Sequence, residues 1–167
     1  STAFNDRLGT LTDPSTLRIE RRLPGPIETV WAYLTDSELR RQWLAAGPMT
    51  ALPDTEFELV WRNDEISDAP DERPEGFPAE HRARCRVLEA APPRLLRYLW
   101  PEVGEVCFEL QASGAQVLLT VTHRRLAGEG LILNVRAGWH AHLARLVALT
   151  AGRRPPSPWR TWKSFRP

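Results

Sequence analysis

The sequence predicts an α+β fold in which an antiparallel sheet is interrupted early by two short helices and followed by one long carboxy-terminal helix. Three observations carry that prediction. Apolar and polar residues alternate in six segments, the mark of strands with one buried face. Apolar residues recur at helical spacing twice, just after the first strand and again near the carboxy terminus. The last four strand segments are joined by short links, which makes them an antiparallel meander.

Leu17, Ile19 and Leu23 alternate with charges in the first strand. Ile27, Val30, Trp31 and Leu34 then lie on one helical face, opened by Pro26, whose missing N–H costs nothing in a first turn. Thr35-Asp36-Ser37 breaks this helix and caps a second, shorter one that ends near Trp43. Phe57, Leu59 and Trp61 alternate with Glu56, Glu58 and Arg62 in the next strand. Further on, His81, Ala83, Cys85 and Val87 share one face, and Arg82, Arg84 and Arg86 the other. Three arginines need water, so His81 and Cys85 are expected to point inward. Leu96, Tyr98 and Trp100 face in by the same rule, as do Val106, Phe108 and Leu110. After the turn at Ser113-Gly114 come Val117, Leu119, Val121 and His123. The long helix carries Leu131, Val135, Gly138, Trp139, His142, Leu143 and Leu146 as one stripe, and stops at Gly152 before Pro155-Pro156.

At 167 residues the chain fits one domain with a substantial core. It is 42% hydrophobic and 26% charged, as ordinary globular proteins are, and its formal net charge of +1 steers it towards no nucleic acid or acidic partner. No run approaches the ~20 apolar residues of a membrane span, so stable membrane insertion is not expected. Residues 1–16 carry no signal-peptide pattern, which makes a cytoplasmic location the default expectation. Two cysteines, neither in a CxxC pair, build no disulfide framework.

The chemistry-bearing residues exclude more than they assign. His140 and His142 stand about 200° apart on a helix and cannot share a metal. The acidic, proline-rich stretch 63–78 lacks the Asp spacing of a calcium loop, so no metal is expected. That stretch is long for a structureless link and is read as mobile or functional. His81 and Cys85 are separated by roughly 13 Å along one strand and do not form a nucleophile–base pair. Cys107, on the opposite face from Phe108, is expected near the surface. No phosphate-binding glycine loop is present, and no cofactor is implied. The basic tail 153–167 sets Trp159, Trp162 and Phe165 three residues apart, one helical face, and is expected to dock on the domain rather than stack on nucleic acid.

Several motifs resemble a known family. They are Val30-Trp31 with Leu34-Thr35-Asp36, Gln42-Trp43-Leu44, Thr122-His123-Arg124-Arg125-Leu126 and Gly138-Trp139-His140 with His142-Leu143. The stretches from Arg73 to His81 and from Glu89 to Leu96 belong to the same set. From about Thr16 onward the chain resembles the Aha1-like (activator of Hsp90 ATPase homologue) proteins of the START/Bet v 1 (SRPBCC) superfamily. The resemblance implies a helix-grip fold, a curved antiparallel sheet wrapped around the long carboxy-terminal helix, with an apolar cavity between them. It divides the chain into an amino-terminal extension (1–15), a helix-grip domain (16–152) and the tail (153–167).

Such a cavity would take Trp61, Tyr98, Trp100 and Phe108 from the strands and Trp139, His142 and Leu143 from the helix, with His81 and His123 as polar points. No catalytic motif is carried over by the resemblance. The favoured expectation is a non-enzymatic binding protein for a small hydrophobic or aromatic molecule. A surface-acting, co-chaperone-like interaction module and a cyclase- or hydrolase-like enzyme using the histidines are the alternatives. A homodimer or a protein partner is compatible with all three.

Overall fold

The structure, a computed structural model, describes residues 2–66, 78–126 and 128–165. Seven strands form one curved antiparallel sheet in the order β1-β2-β7-β6-β5-β4-β3. They are β1 (Thr10–Asp13), β2 (Thr16–Pro24), β3 (Glu56–Trp61), β4 (His81–Ala91), β5 (Leu95–Trp100), β6 (Gly104–Ser113) and β7 (Gln116–Arg124). Short links make β4 to β7 a meander, and the crossover from β2 to β7 lays the first and last long strands side by side. A long helix, α4 (Glu129–Thr150), crosses the inner face of the sheet. This is the helix-grip architecture.

The inward alternation holds along the sheet. Leu17, Ile19, Leu23, Cys85, Val87, Leu96, Val106, Val117, Leu119 and Val121 are all almost fully buried. The outer-face arginines stay in water, where Arg82 pairs with Glu58 and Glu80 at 2.8 Å. Exposed pairs of this kind contribute little stability.

Between β2 and β3 lie α2 (Ile27–Thr35) and α3 (Ser37–Arg40). Asp36 caps α3 by accepting from the Glu38 and Leu39 N–H groups, which an aspartate at this position is built to do. Arg40, 2% exposed, donates from inside to the carbonyls of Leu34, Ala45 and Gly47, and so fastens the following loop. Gly47 is required there. Its φ is +135°, and a Cβ would lie 1.7 Å from the Glu58 carbonyl oxygen.

Three features depart from the pattern read in the sequence. The first fifteen residues hold a short helix, α1 (Thr2–Asn5), and strand β1, which pairs with β2 at the sheet edge. β1 is exposed along its length, so it carries no apolar alternation to detect. Cys107 is buried rather than near the surface, because the outer face at this central strand is shielded where Arg97 pairs with Glu105 beside it. His81 lies on the inner face yet is exposed, since it is the first residue of β4 and overhangs the core.

The tail forms α5 (Pro158–Phe165), which packs on α4. Trp159 is 5% exposed, and its indole N–H donates to Asp64 Oδ1 at 2.8 Å. The side chain of Phe165 and most of the acidic stretch 63–78 lie outside the described residues. Among the described residues, no helix is long and apolar enough to cross a membrane.

Candidate functional site

Where the sheet ends overhang, α4 does not fill the space above them. A cavity of about 330 Å³ opens between the ends of β3 and β5, the first turns of α4, and α5. Five of the seven tryptophans wall it: Trp61, Trp100, Trp139, Trp159 and Trp162. Leu44, Leu131 and Val135 add aliphatic surface, and exposed Pro78, Ala79 and His81 flank the mouth. Opposite the sheet sits Gly138, where an added Cβ would meet nothing within 4 Å. A side chain at this helix position would project into empty space.

The rings form a continuous descent from mouth to core. His81 lies 5.4 Å from Trp61, and Trp61 stacks on Trp100 at 5.1 Å with planes 18° apart. Trp100 neighbours His123 at 5.6 Å, and His123 meets Trp139 edge-on at 6.2 Å. Phe108, Tyr98 and Phe57 continue the run inward from Trp139. Offset and edge-to-face packing of this kind suits aromatic quadrupoles.

Of the nine residues the sequence proposes, Trp61, His81, Trp100, Trp139 and His142 reach the cavity wall. Tyr98, Phe108, His123 and Leu143 sit one layer behind it, each at most 2% exposed. Asn63, Asn134, Trp159 and Trp162 join the wall without having been assigned to it. For the two tryptophans the signal existed, since their spacing predicts a docked helix, but spacing cannot say that they dock over a hollow.

The two inner histidines have separate fates. His123 is fully buried, its Nδ1 accepting from the Trp139 indole at 3.0 Å and its Nε2 donating to the Val103 carbonyl at 3.2 Å. Both nitrogens are used, and burial pushes its pKa down to about 4. His142 uses one nitrogen only, Nδ1, which donates to the Trp43 carbonyl at 2.8 Å. Burial, helped by the nearby Arg145 charge, holds it neutral with a pKa also near 4. Arg145 fastens the same stretch of α4 by donating to the carbonyls of Gln42 and Pro156.

Nucleophilic chemistry finds no support among these groups. Burial pushes the Cys85 thiol up to about 12 and the Cys107 thiol up to about 11, so neither supplies a thiolate near neutrality. Among the described residues, no three His, Cys, Asp or Glu side chains converge as metal ligands. His140 faces away from the cavity, on the side of α4 opposite His142, as their spacing requires. The arrangement holds an aromatic-walled hollow with a neutral imidazole in its wall.

A family model described as "Activator of Hsp90 ATPase homolog 1-like protein" matches residues 24–151. The chain is similar to the protein encoded by gene BPP1335 from Bordetella parapertussis, known from a solution NMR structure. The two share 40% identity at a TM-score of 0.79, over 94% of this chain and 85% of that one. The crystal structure of CalU16 from Micromonospora echinospora shares the fold, with a TM-score of 0.66 at 22% identity over 94% of this chain and 89% of that one. No curated protein matches.

Proposed function

Because the chain belongs to the activator of Hsp90 ATPase homolog 1-like family, we propose that it uses the family's helix-grip frame as a binding protein for a small hydrophobic or aromatic molecule. The observation that carries this reading is the hollow itself, about 330 Å³ walled by five tryptophans and left open at Gly138. Hollows of this size and lining are where small-molecule ligands are found. A core built only for stability would be filled, since each empty methyl-sized volume costs about 1 kcal/mol. The partnered or neutral state of the two inner histidines favours binding over acid–base catalysis.

Native mass spectrometry and tryptophan fluorescence against fatty acids, sterols, flavonoids and polyketide-like aromatics test the reading. Gly138→Phe serves as the blocked form, because its ring would occupy the hollow without meeting backbone or side chain at Cβ. Saturable quenching or co-purified mass in the wild type, lost in Gly138→Phe while thermal unfolding stays cooperative, is the expected result. No ligand across the panel, or equal binding by the blocked form, would sink the proposal.

A further inference from the structure

Two of the indole donors in the cavity wall are already committed to the protein. The indole N–H of Trp139 is given to His123, and that of Trp159 to Asp64. Both point away from any guest. On the acceptor side stands His142. A carbonyl has no proton to give, so the bond from Nδ1 to Trp43 places the imidazole proton on Nδ1 and leaves Nε2 with a bare lone pair. Nε2 has no protein partner among the described residues, and its residue lines the cavity. Asn63, also in the wall, has an enclosed Oδ1 that accepts no hydrogen bond among the described residues.

On a wall built mainly of indoles, this acceptor is well served by a ligand hydroxyl. A guest carrying only acceptors leaves it unpaired, which is the more costly outcome. A carboxylate would set lone pairs against a lone pair.

Resting on the reading that the cavity holds an aromatic ligand, we propose that His142 Nε2 makes the site select ring systems that carry a hydrogen-bond donor, a phenolic hydroxyl or an aromatic N–H, over the same rings without one. The locked tautomer is the basis of this selectivity. Arg145, bonded to the Gln42 carbonyl, holds the same loop and keeps the Trp43 carbonyl in place. At neutral pH the imidazole carries no second proton, because burial depresses its basicity.

The test compares 2-naphthol with 2-methoxynaphthalene by isothermal titration, in the wild type and in His142→Asn. The asparagine amide keeps a donor near the Nδ1 position for the Trp43 carbonyl and removes the acceptor at Nε2. The wild type is expected to bind 2-naphthol roughly tenfold more tightly than the ether, the worth of one neutral hydrogen bond. His142→Asn is expected to bind both alike. Long-range ¹H–¹⁵N spectra should show the His142 Nε2 resonance moving with 2-naphthol and staying put with the ether. Equal affinities in the wild type would overturn the selectivity and leave the cavity reading standing. Binding of neither probe would overturn the selectivity, and the ligand panel would then decide the cavity reading. A preference retained in His142→Asn would remove His142 as its source. Should that variant not fold, the wild-type affinities and the nitrogen spectrum decide alone.

Discussion

His123 and His142 are both held neutral by burial, each with its pKa pushed from an ordinary 6.5 down to about 4. In the unfolded chain they take up protons near pH 6.5, while the folded chain resists until about pH 4. The unfolded state therefore binds more protons across that window, and stability falls as the pH falls through it. Their contribution is complete above pH 6.5 and shrinks towards pH 4. Between pH 7.5 and 5 the loss is about 2 kcal/mol for each imidazole. Urea midpoints at the two pH values should differ accordingly, and a flat profile would contradict the assignment of both rings as neutral. At this scale the sequence reveals the face of a residue but not its depth. His81 and His123 both alternate with outward residues, yet one overhangs the sheet and the other is fully enclosed. The difference lies in what packs opposite them, and alternation along one strand carries no record of that.

Helix α4 serves two surfaces at once, and its composition reflects it. Leu143 and Leu146 are completely buried against the sheet, whereas Leu131, Val135 and Gly138 look into the cavity. Gly138 is the least helix-prone of these, and it sits in the interior of a 22-residue helix. Gly138→Ala should therefore stabilise the protein by about 1 kcal/mol, since the methyl group meets nothing and helix propensity improves. A rise in melting temperature of roughly 2–4 °C is expected for a domain of this size. A fall would mean that close approach, not space, explains the glycine. The element order from β2 to α4 was legible because each element has its own period and its own stop, such as Asp36 and Gly152. Gly152 indeed takes a φ of +70°, and the Arg153 N–H closes back on Ala148 at 2.8 Å. Strand β1 was not legible, for four exposed residues at an edge need only backbone pairing.

At the scale of the whole molecule, the cavity is shared among sheet, α4 and α5, with lining residues drawn from Leu44 to Trp162. A guest in it bonds to the folded state alone and must stabilise all of them together. At a ligand concentration a hundred times its Kd, the gain is about 2.7 kcal/mol. Thermal scans with the tightest ligand of the panel should shift upward by roughly 5–10 °C. No shift at saturation would show that the ligand seen by fluorescence is not held by the fold. The site was half legible for the same reason that it is shared. Trp61, Trp100 and Trp139 announce themselves as inward aromatics, but whether inward means packed or hollow depends on the sum of three surfaces. No single stretch of sequence contains that sum.

The stacked pair Trp61 and Trp100, 5.1 Å apart, has a consequence in optics. Two indole transitions held this close share their excitation and split into an exciton pair, which gives the far-ultraviolet circular dichroism a band that isolated indoles lack. Both rings belong to the cavity wall. The band thus originates in the place a guest must touch, and a molecule that slides against the pair or parts the rings changes its sign or size. With a ligand bound as proposed, the protein would carry its own chromophore for occupancy, written into the geometry of two side chains.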